Sequence, residues 1–245
     1  MRSGTARCGT REDLPPPPPP LELQGIAHRF GRRWVLRGLD LRVDDGEAVA
    51  MVGDNGAGKS TLLRIAATLL RPLRGEGRVR GADLRGDPAA VREKVRLLGD
   101  APALYEDLTP EENLSFAAVM QGEPETRARI PGILEQVGLT EHRGTRVRRF
   151  SQGMRRRVAI GRILLAPPDL LLMDEPYASL DPGGVELAND LIREVTGRGG
   201  GVLLATHDVH SGAQVTSRIL RLDRGVLGPK EGRDPASAAR TGEAS

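Results

Sequence analysis

One octapeptide constrains this chain more than any other feature: Gly53-Asp54-Asn55-Gly56-Ala57-Gly58-Lys59-Ser60. It follows the short apolar run EAVAMV (47–52) and precedes a segment, 60–70, with helical spacing. A strand, a glycine-rich turn and a helix let backbone N–H groups curl around a phosphate chain, and the residues fit G-x-x-x-x-G-K-[ST]. Gly53, Gly56 and Gly58 permit the curl. The helix N-terminus adds partial positive charge. Lys59 is the residue type that reaches β- and γ-phosphates, and Ser60 the type that holds Mg²⁺. Asp54, Asn55, Ala57 and Thr61 complete the expected cradle. A plain glycine turn is the other reading.

The rest of the body alternates strand-like and helix-like stretches. VRLLG (95–99), DLLLMD (169–174) and GVLLAT (201–206) are continuous apolar runs, the pattern of strands buried on both faces. Helical patterns over 151–165, 183–195 and 208–216 follow three of the strands, which predicts a parallel sheet with helices on both sides. Residues of about 102–166 carry several helical patterns and no clear strand, so they are expected to form a helical subdomain beside the sheet. The run Pro15 to Pro20 predicts an extended polyproline spacer. The predicted organisation is a disordered tail over 1–20, one folded body over 21–228 and a second tail over 229–245.

Composition excludes some classes. At 245 residues the chain can bury a core without staples. Its single cysteine, Cys8, supports no disulfide framework. No apolar run approaches the ~20 residues of a membrane span, and no apolar stretch near the start resembles a secretory signal. A net charge of +3 and 2% aromatic residues give neither the basic stripe nor the stacking platform of a nucleic-acid binder.

Two further elements fall where a parallel sheet would present a ligand. Asp174-Glu175 closes the apolar strand, and carboxylates at that end of a strand face the crevice. Taken alone such a pair is more often a cap or a solvated turn. Beside the phosphate loop, Asp174 suits a Mg²⁺ shell and Glu175 suits polarising a water for attack on a γ-phosphate. His207 follows the strand 201–206. A lone histidine there is more often a satisfied polar group, but its edge of the sheet is that of Asp174 and the phosphate loop.

The last element is FSQGMRRRVAIGRILLAPPDLLLMDEP (150–176), with Ser151 as a predicted helix N-cap and a helix leading through Pro167-Pro168 into the acidic strand. In this arrangement the sequence resembles the ABC ATPases, over about residues 21–227. The resemblance implies an α/β fold: a RecA-like P-loop core with a parallel sheet, an N-terminal antiparallel β part and an inserted helical subdomain. It implies that Ser151 and Gly153 bind the γ-phosphate held by a second subunit. Ser179-Leu180-Asp181-Pro182 is similar to the family's D-loop and His207 to its switch histidine. Phe30, a core residue on sequence alone, stands where the family stacks an aromatic ring on adenine. Gln152 and Met154 depart from the usual signature glycine and glutamine. Asp100 stands where the family has glutamine; it can offer an oxygen to Mg²⁺ or water but cannot donate a hydrogen bond. Arg155, Arg156 and Arg157 read as a solvated helix face.

The resemblance further implies an ATP-binding and ATP-hydrolysing subunit using ATP and Mg²⁺. Such a subunit works as a homodimer beneath a separate transmembrane permease, at the cytoplasmic face of the cell membrane, with no nucleic-acid partner. A soluble ABC ATPase acting on nucleic acid or the ribosome is the alternative within the superfamily, but no sustained heptads separate Ser60 from Ser151 and only one cassette is present. A P-loop kinase or switch GTPase leaves 150–182 unexplained. Within the transporters the stretches 46–72, 104–116 and 150–182, with Tyr177 after Glu175-Pro176, are similar to the haem exporter ATPases of cytochrome c maturation. The expected absence of a regulatory domain after Gly228 points the same way. Drug and polysaccharide exporters share much of this pattern.

Overall fold

The computed structural model describes residues 16–99, 103–120, 122, 124–207 and 214–229. Asp100, Cys8 and most of the helix expected over 208–216 lie outside them; within that stretch Gln214 and Val215 form a turn.

Two sheets carry the fold. Strands β1 (Leu21–Phe30), β2 (Arg33–Val43), β4 (Arg74–Val79) and β5 (Ala82–Asp83) form an antiparallel sheet in the order β2-β1-β4-β5. The second sheet contains β3 (Ala48–Val52), β6 (Val95–Leu98), β7 (Leu170–Asp174), β8 (Gly201–Ala205), β9 (Arg218–Asp223) and β10 (Val226–Pro229). Its order is β10-β9-β3-β8-β7-β6, parallel throughout except for the β9–β10 hairpin. The four apolar runs read from the sequence are β3, β6, β7 and β8, four adjacent strands of this sheet with β6 at its edge.

Their continuous apolar character has a direct cause, because alternate residues serve two cores. On β7, Leu171 and Met173 pack in one cluster with α5 (Gln152–Leu165) and α6 (Pro182–Gly197). Leu170 and Leu172 pack on the other face with α1 (Lys59–Ala66) and the antiparallel sheet. A polar substitution at any of these positions would bury an unpaired group, so neither face tolerates one.

Helix α2 (Pro88–Lys94) leads into β6. Between 103 and 166 the described residues form helices and 3-10 turns and no strand: α3 (Pro110–Met120), α4 (Ile130–Gln136), short 3-10 segments and α5. A capping box starts α3. The Thr109 N–H donates to Glu112 Oε2 at 2.8 Å and the Glu112 N–H to Thr109 Oγ1 at 3.2 Å. Asn113 is buried; its amide donates to the carbonyls of Tyr105 and Thr109 and accepts from the Tyr105 N–H, pinning the approach to α3. Ser151 caps α5 by accepting from the Met154 N–H at 3.2 Å, at the position its sequence predicts.

The ends of the body depart from the expected boundaries. Pro20 is buried, and the carbonyls of Pro18 and Pro19 accept from the Arg80 guanidinium at 3.0 Å and the Arg80 N–H at 3.1 Å. Arg80 also pairs with Asp45 and Asp169 and donates to the Gly199 carbonyl at 2.6 Å. Part of the proline run is therefore docked, because an arginine supplies the hydrogen bonds that proline cannot make to itself. At the other end Gly228 and Pro229 pair with Arg221 and Leu220, so β10 reaches one residue past the expected boundary at 228.

Candidate functional site

The parallel register lines up three strand ends. Met51 of β3 and Asp174 of β7 both stand opposite Ala205 of the strand between them. The Thr206 N–H donates to the Met51 carbonyl at 3.1 Å and the Glu175 N–H to the Ala205 carbonyl at 2.8 Å. The phosphate-loop glycines, the acidic pair and His207 therefore leave the sheet along one edge, the crevice side of a parallel sheet.

The loop 53–58 is held by contacts that exclude side chains. A Cβ on Gly53 would lie 2.2 Å from the carbonyl oxygen of Leu222, on β9. Gly58 has φ of 114°, and a Cβ there would meet Leu36 at 2.9 Å and the Val35 carbonyl at 3.0 Å. Only glycine combines that backbone with that approach. The Lys59 side chain is buried along the loop, its ammonium donating to the carbonyls of Gly53 at 2.6 Å and Asp54 at 3.3 Å.

A cavity of about 460 Å³ opens over this loop, lined by Phe30, Arg33 and Val35, by Asp54, Asn55, Gly56 and Gly58 to Thr61, and by Asp174 and Glu175. The structure thus brings the phosphate loop, the acidic pair and Phe30 together. Phe30 is 53% exposed, which removes it from the core that its sequence alone suggests. The buried His28 ring meets it edge-on, centroids 4.9 Å apart. Ser60 and Asp174 place a hydroxyl and a carboxylate on one cavity, oxygen donors of the kind Mg²⁺ accepts when phosphates and water complete its shell.

Glu175 carries positive φ, 47°, and its carboxylate reaches His207: Oε2 lies 2.8 Å from Nδ1 and accepts from the His207 N–H at 3.3 Å. His207 is thereby joined to the acidic pair although it does not line the cavity. Ser151, Gly153 and Asp181 do not line it either. They form a second group. Ser179, at φ 61°, donates from Oγ to Gln152 Oε1 at 3.0 Å, and a Cβ on Gly153 would press on the Ser179 carbonyl at 2.9 Å. Asp181 caps α6 by accepting from the Gly184 N–H at 2.9 Å and pairs with Arg157 at 2.7 Å. The Arg157 hydrogen bond, then the Gly184 N–H, hold the Asp181 carboxyl below the usual carboxylate range.

The three consecutive arginines are not a solvated face. Arg155 pairs with Glu106 at 2.9 Å and Arg157 with Asp181. Arg156 is buried and donates to three main-chain oxygens, those of Ala178 at 2.9 Å, Gly99 at 3.2 Å and Asp174 at 3.2 Å. One guanidinium therefore joins the helix behind Ser151 to the acidic strand, the Ser179 turn and the residue before Asp100. Sequence reasoning also missed Arg33, although it stands one hairpin turn from Phe30.

A phosphate-loop strand, an acid pair two strands over and an inserted helical unit beside the sheet define a nucleotide-hydrolysing cassette of the P-loop class. The family model for ABC transporters matches residues 36–178, more than half of the chain, and this protein belongs to that family. It is an ATP-binding and ATP-hydrolysing member. It is 40% identical over 215 residues to the cytochrome c biogenesis ATP-binding export protein CcmA of Xanthomonas axonopodis pv. citri, covering 86% of this chain and 98% of that one. It is 38% identical over 207 residues to the daunorubicin resistance ATP-binding protein DrrA3 of Streptomyces coeruleorubidus, covering 84% of this chain and 66% of that one. Among solved structures, an ATP-binding subunit of an ABC transporter superposes with a TM-score of 0.80 at 31% identity, covering 90% of this chain and 94% of that one.

Proposed function

We propose that this chain energises a separate transmembrane permease, acting as a head-to-tail homodimer at the cytoplasmic face of the membrane, and that the transporter exports haem for cytochrome c biogenesis. The supporting observation is the division of the site into two groups: Phe30, the phosphate loop and the acidic pair surround one cavity, and Ser151 and Gly153 lie outside it. A second copy, turned head to tail, would supply its Ser151 and Gly153 to the open side. No helix among the described residues is long and apolar enough to cross a membrane, so the cargo path is assigned to the partner.

In this reading Phe30 stacks on the adenine, Lys59 and the loop amides hold the phosphates, and Ser60 and Asp174 hold Mg²⁺. When bound, Mg²⁺ offsets charge on the β- and γ-phosphate oxygens. Glu175 accepts a hydrogen bond from the attacking water and His207 fixes the carboxylate that does so. The water oxygen bonds to the γ-phosphorus as its proton passes to the Glu175 carboxylate, the bond to the bridging oxygen breaks, and ADP and inorganic phosphate depart. Asp100 is assigned to the γ-phosphate end of the site, as its place in the sequence suggests.

The haem cargo is supported by the match to CcmA across nearly all of that protein's length. Deleting the gene, with no second copy present, is expected to abolish covalent haem attachment to c-type cytochromes while sparing b-type haem proteins, read on haem-stained gels. Normal c-type bands would remove haem as the cargo. Drug export is the second reading, favoured by the DrrA3 match; the deletion strain would then keep its cytochromes and gain sensitivity to anthracyclines.

A further inference from the structure

Strands β1 and β2 join through a two-residue turn, Gly31-Arg32, with Gly31 at φ 58°. Phe30 and Arg33 are the first pair of this hairpin and stand directly opposite each other. Residues opposite each other in an antiparallel pair project from the same face of the ladder. The next pair, Arg29 and Trp34, projects from the other face, and there the Arg29 guanidinium lies over the Trp34 ring, 5.7 Å from its centroid. Both members of the first pair line the cavity above the phosphate loop.

The surroundings of Arg33 are short of partners. Among the described residues it makes no ion pair and no hydrogen bond, and it is exposed. Its guanidinium comes within 3.6 Å of the space a Cβ on Gly56 would take, so it hangs over the middle of the phosphate loop. The cations lining the cavity are Arg33 and Lys59, and the Lys59 ammonium is held against two loop carbonyls. Asp54, Asp174 and Glu175 line the same cavity. A polyphosphate entering there meets three carboxylates and needs opposing charge at the base-proximal end, where Lys59 is not directed.

We propose that Arg33 is a nucleotide-binding residue whose guanidinium grips the phosphate chain between the base on Phe30 and the loop at Gly56. This rests on the reading in which Phe30 carries the base. Guanidinium and phosphate suit each other because the planar donor fork can bond two phosphate oxygens at once. The hairpin thus supplies both a base platform and a phosphate cation from one residue pair, and its two-residue turn fixes their spacing. Arg33 then favours nucleoside di- and triphosphates over nucleosides.

The test is calorimetric titration of the full chain with ATP, ADP and adenosine, in EDTA to prevent turnover. Arg33→Ala is expected to weaken ATP and ADP by roughly tenfold, the worth of a charge-assisted hydrogen bond, and adenosine by less than about twofold. Arg33→Lys should recover part of the loss, and the difference from wild type should shrink as ionic strength rises. Phe30→Ala should lower all three ligands together. Unchanged ATP and ADP affinity in Arg33→Ala, or an equal fall for adenosine, would overturn the proposal. In the latter case Arg33 merely supports the Phe30 ring. Failure of the underlying reading looks different: wild-type protein would then bind no ATP, or Phe30→Ala would leave all three affinities intact.

Discussion

The Glu175 carboxylate lies 2.8 Å from the Nδ1 of His207, across the gap between two neighbouring strand ends. The imidazole holds one carboxylate oxygen of a residue that also lines the cavity. Glu175→Gln keeps the shape and loses the basicity. It should retain ATP binding, slow hydrolysis by about 10²-fold or more, and trap an ATP-bound dimer visible by gel filtration. His207→Ala should slow hydrolysis while leaving affinity for ATP intact. Near-normal phosphate release in Glu175→Gln would remove it as the residue that polarises water.

Lys59 predicts the opposite separation. Its ammonium sits inside the loop, and in the proposed reading Lys59→Ala removes the main cation for the β- and γ-phosphates. The expected outcome is loss of ATP affinity by equilibrium titration, with the thermal unfolding of the ligand-free protein little changed. Tight ATP binding by the variant would refute the role.

Arg156 donates to main-chain oxygens of three separate segments, at Ala178, Gly99 and Asp174. Arg156→Met would leave those carbonyls without this donor in a buried place, at a cost of about 2–4 kcal/mol. For a chain of this size that corresponds to a melting point lower by roughly 5–10 °C. Arg156→Lys keeps the charge but not the fork, and should melt between the two while hydrolysing ATP slowly. A melting point equal to wild type in Arg156→Met would show that the three bonds do not form in solution.

The ion pair of Asp181 with Arg157 sets a pH dependence with a definite sign. Its folded-state carboxyl is held below the usual range by the Arg157 hydrogen bond first and the Gly184 N–H second. The stability it adds is therefore fully present above the unfolded carboxyl value, about 3.9, and is lost as pH falls through the lower folded value. Asp181→Asn keeps the cap on α6 but not the charge. Wild type should exceed this variant in urea midpoint at pH 6, and the difference should close below pH 4. A pH-independent difference would place the effect in the cap alone.

Much of this was legible in the residues, for reasons that differ by element. The central strands showed because they are buried on both faces, and α5 showed because Ser151 caps it and Pro167-Pro168 ends it. The strands β1 and β2 were harder to place individually: register shifts near Gly25 break their alternation, and charged residues fill their outer face. The docking of Pro18 depends on Arg80, 62 residues further along, so no local pattern announces it. Arg155, Arg156 and Arg157 look alike in sequence, and only the packing of α5 against the acidic strand buries the middle one. Arg33 had a local signal after all, since a two-residue turn after Phe30 must bring it back beside that ring.

Asp100 follows Gly99, whose carbonyl accepts from Arg156 at 3.2 Å, so the chain enters that segment from the same cluster that holds the acidic strand. If Asp100 faces the γ-phosphate, its carboxylate adds negative charge where the transition state is already concentrating it. Asp100→Gln keeps an oxygen for Mg²⁺ or water, removes the charge and adds a donor. ATP affinity should stay within a few-fold of wild type, and steady-state hydrolysis should rise. The measurement is phosphate release across a range of Mg²⁺ concentrations, because a residue near the metal shifts the Mg²⁺ dependence as well as the plateau. Identical curves for wild type and variant would put Asp100 outside the site and withdraw its assignment to the γ-phosphate end.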